Sequence, residues 1–196
     1  MNLKNKIISV IGLGSTGIAT ANFLSVRGAK VSVMDNKSRD QLSELASQLL
    51  PNVNVVYKNC EPHPDSEMVV ISPGVDIESS FLKRSRQKGV EIISEIELAG
   101  RFNSASLIGI TGTNGKSTCT SLIGEILKEA GISASVGGNL GTPFISLLDQ
   151  DQVEHRVLEI SSFQMEATHS FHPKIAIVLN ITPDHLDRHE NFEQYA

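Results

Sequence analysis

The chain is short of several things at once, and each shortage removes a class of protein. It has two cysteines, Cys60 and Cys119, in 196 residues. That is too few for a disulfide framework and points to a reducing, cytoplasmic setting. Positive charge is in deficit: 17 Lys and Arg against 22 Asp and Glu leave a formal net charge of −5. A nucleic-acid binder normally carries a basic stripe, so no nucleic-acid partner is expected. An anionic small molecule stays open, because binding follows the local field, which glycine loops and a bound metal can supply. No apolar run approaches the roughly 18 residues that cross a bilayer, so no membrane insertion is expected. The start, MNLKNKIISVIGLG, puts basic residues before apolar ones, but its apolar run is short and breaks at Gly12 and Gly14. It reads as a first strand and not as an export signal. Internal repeats and low-complexity segments are missing too.

What is present is the composition of an α/β protein, with 40% apolar and 20% charged residues. Strand-like runs at Lys6–Ile11, Lys30–Met34, Val53–Tyr57, Met68–Ile71 and Val90–Ile93 alternate with amphipathic stretches at Thr16–Arg27, Arg39–Leu50 and Glu78–Lys88. Such alternation predicts βαβ units and a parallel sheet, a Rossmann-like domain over residues 1–93. Gly28 and Gly89 stand where helix C-caps belong. Residues 94–105 read as a short connecting helix and polar linker. A second α/β unit, 106–196, opens with a strand at Leu107–Thr111, a glycine loop and a helix to about Ala130, capped by Gly131. Further strands are predicted at Ser133–Val136, Arg156–Ile160 and Lys174–Ile181, with a helix starting near Asn191. That helix has no cap before Ala196, so the second domain is expected to be incomplete.

Two loops carry chemistry. Gly12-Leu13-Gly14-Ser15-Thr16-Gly17 is a G-x-G-x-x-G between a strand and a helix. With Asp35 at the end of the second strand, the motif alone favours NAD or FAD. The second loop, GITGTNGKST (Gly109–Thr118), contains the Gly115-Lys116-Ser117 core of a P-loop. Its amides would face phosphates, Lys116 would approach the β- and γ-phosphates, and the Ser117 hydroxyl could ligate Mg²⁺. It departs from G-x-x-x-x-G-K-[ST] in having Ile110 five residues before Gly115, with Gly112 three before.

Downstream, Glu159 ends an apolar strand in VLEISSFQME, where a charge needs a partner and where parallel sheets bind ligands. NITPDHLDRHE (Asn180–Glu190) crowds Asp184, His185, Asp187 and His189 together. On its own that cluster fits metal ligation, a metal-dependent phosphohydrolase or a solvated loop. GGNLG (Gly137–Gly141) alone reads as a glycine turn with a left-handed asparagine.

TGTNGKST resembles the loop of the Mur ligases, the ATP-dependent amide-forming enzymes of peptidoglycan synthesis. Gly-Lys-Ser-Thr after Thr-Asn, together with LEISSFQME, is most similar to the branch that adds D-glutamate. The resemblance runs from Gly12 to Arg188 with its motifs in order. It implies ATP on Gly112, Thr113, Asn114, Gly115, Lys116, Ser117 and Thr118, and Mg²⁺ on Ser117, Glu159 and His185. Lys116, Glu159 and His185 would be catalytic. The first domain would hold the UDP part of UDP-N-acetylmuramoyl-L-alanine: Ser15, Thr16 and Gly17 at the diphosphate, Asp35, Asn36 and Lys37 at the uridine. Ser72-Pro73-Gly74, Asn139 and Ser161 would line the substrate side. The implied activity joins D-glutamate to that substrate through an acyl phosphate, in a monomer.

The family also uses a carbamylated lysine just beyond His-x-Asp-Arg and a third domain that binds the amino acid. Neither falls within these 196 residues, so the chain alone is expected to be inactive. Two other readings stay open: an NAD-dependent oxidoreductase, and a nucleotide-binding module without catalysis.

Overall fold

A computed structural model describes residues 1–149, 152–184 and 191–195. The chain divides into two compact units, Met1–Phe102 with Glu166–Phe171, and Asn103–Met165 with His172–Ala196.

The first unit is built on β1 (Ile7–Ile11), β2 (Lys30–Asp35), β3 (Asn54–Tyr57), β4 (Met68–Ile71) and β5 (Glu91–Ser94), all parallel, in the order β3-β2-β1-β4-β5. The central strands read IISVI and MVVI because both their faces are covered; β4 is buried at every position. Helix α1 (Ser15–Val26) follows β1 and buries Ile18, Ala21, Phe23 and Leu24. Arg27 ends it and Gly28, at φ 83°, turns the chain into β2, a left-handed position that glycine takes without strain. Helix α2 (Arg39–Ala46) starts with a capping box between Ser38 and Gln41. It stops short of the Leu50 expected from periodicity: beyond Ala46 the chain tightens into i→i+3 turns, Gln48 N–H to Leu45 O and Leu49 N–H to Ala46 O, and Pro51 keeps Leu50 itself out of helix. The stretch expected to be one helix over Glu78–Lys88 is a 3₁₀ turn, Ser80–Leu82, running into α3 (Lys83–Gln87).

Helix α4 (Glu95–Phe102) comes directly after β5, with Glu95, Ile96, Glu97, Leu98 and Ala99 buried. Glu97, whose side chain is 0% exposed, anchors the returning segment Glu166–Phe171. One of its oxygens accepts the N–H groups of His169, Ser170 and Phe171, each at 2.9 Å. The other accepts from Ser170 Oγ at 2.5 Å and Arg101 Nε at 2.9 Å. Burial pushes this carboxyl up, but the donors outweigh it and hold it at about 2.

The second unit has β6 (Ser106–Thr111), α5 (Lys116–Glu129), β7 (Ala134–Gly138), α6 (Phe144–Leu147), β8 (His155–Glu159), α7 (Ser162–Met165), β9 (Ile175–Val178) and α8 (Phe192–Tyr195). Its strands are parallel in the order β7-β8-β6-β9. β9 is shorter than its apolar run because it pairs with β6, whose last paired residue is Thr111, opposite Val178. Ile108, Ile110 and Val157 form a small core against which Cys119, Ile123, Val136 and Leu179 pack. The short helices α6 and α7 are invisible to periodicity, which needs several turns to register.

The first unit offers two tests. A folded pKa of about 2 against an ordinary 4.5 means Glu97 stabilises fully above about pH 4.5. That contribution, on the order of 3 kcal/mol, fades as pH falls towards 2. Denaturant unfolding of the parent and Glu97→Gln should show a stability gap at pH 7 that narrows at pH 3; a gap constant with pH would contradict this. Gly17 packs so closely that a Cβ would stand 1.9 Å from Gly12 O, whereas one on Gly14 would meet nothing within 4 Å. Gly17→Ala should therefore cost about 1–3 kcal/mol, and Gly14→Ala less, about 0.5–1 kcal/mol from the N-cap alone, by the same denaturant measurement.

Candidate functional site

In the first unit, β1 lies between β2 and β4, so the loops after these three strands share one end of the sheet. The crevice at such a switch in strand order is where open α/β sheets bind ligands. Gly14 is the N-cap of α1, which has no side-chain cap and no acid in its first turn. Amides at Ser15, Thr16 and Gly17 precede the first intrahelical bond, Ile18 N–H to Gly14 O. An uncapped helix start with open space at Gly14 suits an anion.

Two neighbours fix that loop. Ser72 Oγ donates to Gly12 O at 3.2 Å, so the Ser72-Pro73-Gly74 turn and the glycine loop are tied together. Asp35 is half-buried, and both its carboxylate oxygens are engaged by main-chain amides: Leu13 N–H at 2.9 Å and Lys37 N–H at 2.9 Å. An acid at this position shapes the glycine loop itself, whatever else it touches. Asn36 and Lys37 are exposed beside it.

In the second unit, Gly115 (φ 85°) is the N-cap of α5, again with no side-chain cap and no acid in the first turn. Lys116 Nζ folds onto the loop, donating to Gly112 O at 2.7 Å and Thr113 O at 2.9 Å. The departure from the usual P-loop spacing has a steric reason. Ile110 is fully buried in the sheet, while Gly112 (φ 131°) is where the loop meets the chain after β9. A Cβ on Gly112 would stand 2.9 Å from Asn180 O.

Glu159, 3% exposed, is the centre of this end of the sheet. Ser117 Oγ donates to its Oε2 at 2.6 Å, and Asn139 Nδ2 to its Oε1 at 2.8 Å. Asn139 N–H also donates to Glu159 O at 2.8 Å. Ser117, Asn139 and Glu159, from the start of α5, the turn after β7 and the end of β8, are thus joined. A buried carboxylate touched by neutral donors suits a cation, and a hydroxyl beside it is a second oxygen ligand. Mg²⁺ takes one or two protein oxygens and fills the rest of its shell with water and phosphate, so this pair fits it. Among the described residues no group of three or more His, Cys, Asp and Glu could hold a metal. The expected ligand His185, with Asp187 and His189, lies outside the described residues.

Ser161 has a local job: its N–H and Oγ both donate to Gln164 Oε1, at 3.0 and 3.2 Å, at the start of α7. Two residues of the NITPDHLDRHE stretch that were given no role there hold the P-loop from the other side. Asn180 and Thr182 hydrogen-bond to Asn114 and Thr113. No local signal could have found that role: they are the second and fourth residues beyond β9, and a polar residue there looks the same whatever it bonds.

Residues 6–94 match the family description "Mur ligase MurD-like, N-terminal domain", and residues 110–196 match "Mur ligase middle domain". The UDP-N-acetylmuramoylalanine–D-glutamate ligase of Koribacter versatilis is 48% identical over the whole chain, and that of Acidobacterium capsulatum 46%. The chain spans 44% and 43% of their respective lengths. Among solved structures, the UDP-N-acetylmuramate-alanine ligase of Thermotoga maritima superposes with a TM-score of 0.56 at 21% identity, over 97% of this chain and 45% of that one. The UDP-N-acetylmuramate:L-alanyl-gamma-D-glutamyl-meso-diaminopimelate ligase from Neisseria meningitides gives 0.55 at 19%, over 94% and 63%. These two share the fold, and the sequence matches carry the assignment: the chain belongs to the Mur ligase family, with a MurD-like N-terminal domain followed by middle-domain sequence.

Proposed function

We propose that this chain is the substrate- and ATP-binding part of a ligase that joins D-glutamate to UDP-N-acetylmuramoyl-L-alanine. The carrying observation is the Ser117–Glu159–Asn139 cluster at the uncapped start of α5, beside Lys116. Residues 1–93 would be the UDP-substrate domain and 106–196 the start of the ATP-binding domain. The names of the curated relatives support the substrate pair. A monomer in the cytoplasm is part of the same reading.

In this reading the substrate carboxylate attacks the γ-phosphorus of ATP, ADP leaves, and an acyl phosphate forms. The amine of D-glutamate then attacks the acyl carbon, phosphate departs, and the amine loses its proton. Two anions meet in the first step, so the chain's contribution is positive potential and alignment. Lys116 would leave the carbonyls of Gly112 and Thr113 for the phosphates, and the amides of Gly115 to Thr118 would face them. Mg²⁺, when bound by Ser117 and Glu159, supplies further positive charge to the phosphate oxygens. His185 would join it. In the first domain, the amides of Ser15, Thr16 and Gly17 would take the diphosphate. Asp35, Asn36 and Lys37 would lie at the uridine. Ser72-Pro73-Gly74, Asn139 and Ser161 would border the rest of the substrate.

Two experiments test this. Calorimetry with UDP-N-acetylmuramoyl-L-alanine and with NAD⁺ should show binding of the first alone, weakened by Gly14→Ala, which adds a methyl group in the open space without harming the fold. Micromolar NAD⁺ binding without the UDP compound would replace this reading with an oxidoreductase. Glu159→Gln should weaken Mg²⁺-dependent ATP binding by about 10- to 100-fold, the scale of one lost interaction with a charged group. Titration in EDTA should bring the parent down to the level of the variant; a parent indifferent to EDTA would remove the metal from the site.

A further inference from the structure

We propose that Asn180 is a positioning residue that selects the phosphate-binding orientation of the Asn114–Gly115 peptide. The inference rests on the reading of the second loop as an ATP site.

Asn180 is the second residue beyond β9 and matches its side chain to one edge of the P-loop backbone. Asn114 N–H donates to Asn180 Oδ1 at 2.9 Å, and Asn180 Nδ2 donates to Asn114 O at 2.9 Å. Thr113 N–H donates to Asn180 O at 3.0 Å. Two residues on, Thr182 repeats the pattern: its N–H donates to Thr113 Oγ1 at 3.0 Å, and that hydroxyl donates to Thr182 O at 3.1 Å. Tyr195 places its hydroxyl 2.9 Å from the same Oγ1. Five hydrogen bonds therefore join residues 113–114 to 180–182.

The reciprocal pair on Asn114 matters most, because the next residue is Gly115. It sits at φ 85° and ψ 0°, the geometry of a turn whose preceding peptide can rotate by half a turn at little energy. In one orientation the Gly115 N–H heads the row of amides running into α5. In the other, the Asn114 carbonyl takes its place and meets the phosphates with a partial negative charge. A trans peptide points its C=O and N–H in opposite directions. Holding Asn114 O on Asn180 Nδ2 therefore fixes the direction of the Gly115 N–H. Asn180 also takes the Asn114 N–H, which removes it from the phosphate-facing set and leaves Gly115 as the first member.

Both side-chain bonds are solvent-accessible, so losing them should disturb the fold little while changing the loop's preferred orientation. The side chain must offer one donor and one acceptor. Asp in its ionised form offers two acceptors and confronts the Asn114 carbonyl with negative charge; protonated, it regains one of each.

The test is Mg·ATP binding by calorimetry, from pH 8 to pH 4.5, for the parent, Asn180→Ala, Asn180→Asp and Lys116→Ala, with thermal unfolding of each beside it. Asn180→Ala should bind at least about tenfold more weakly than the parent at every pH, with its unfolding midpoint within about 3 °C. Asn180→Asp should be as weak or weaker at pH 8 and should recover towards the parent as pH falls into the carboxyl range. Parent-like binding by Asn180→Ala, or a deficit in Asn180→Asp that does not change with pH, would overturn the positioning role while leaving the ATP site standing. A parent that binds Mg·ATP no better than Lys116→Ala would overturn the ATP reading, and this inference with it.

Discussion

Glu159 keeps a carboxylate at 3% exposure, hydrogen-bonded to a hydroxyl and an amide. Neither partner neutralises it, and a charge taken out of water without an opposite charge is costly. Much of the second unit's architecture serves to hold this group. The strand order β7-β8-β6 puts the turn after β7 on one side of it and the P-loop helix on the other. Gly138 has to be glycine because a Cβ there would stand 2.3 Å from Glu159 O. The same crowding brings Asn139 close enough to use both its main-chain and side-chain N–H groups on Glu159.

The parallel α/β class was legible because its signals are local: apolar runs of four to six residues, with glycines where helices end. Boundaries were less so where an outside partner decides them. β9 ends where β6 ends, and no feature of residues 175–181 states that. At the site, Ser117 announced itself through the P-loop and Glu159 through its position at the end of an apolar run. Their 2.6 Å contact spans 42 positions and depends on β6 and β8 being neighbours, which is a property of topology. Asn180 shows the limit more sharply. Its role lies in matching a peptide edge 66 residues away, and an asparagine after a strand looks the same whether or not it does so.

The two glycine loops solve one problem with different supports. Each ends a buried central strand, opens an uncapped helix and needs its backbone held against a neighbouring strand end. In the first unit a carboxylate does the holding: Asp35 takes the Leu13 amide. In the second an amide does it, through Asn180. The first clamp is a carboxylate and the second is neutral, but the second loop has a carboxylate of its own, Glu159 on Ser117, beside the Lys116 ammonium that folds onto the Gly112 and Thr113 carbonyls.

The six residues Glu166–Phe171 belong to the first unit, although their sequence neighbours on both sides belong to the second. They bring three amides to Glu97 and Ala167 to the core around Ile71 and Leu82, and Ala167 O receives the Ser94 N–H. A gene fragment stopping at Phe102 would thus encode a sheet with every strand present and a Glu97 carboxylate left with Arg101 alone of its donors. The stretch EATHSF is, in effect, a peptide ligand of the first unit that the chain carries with it. Adding it in trans to such a fragment amounts to fragment complementation.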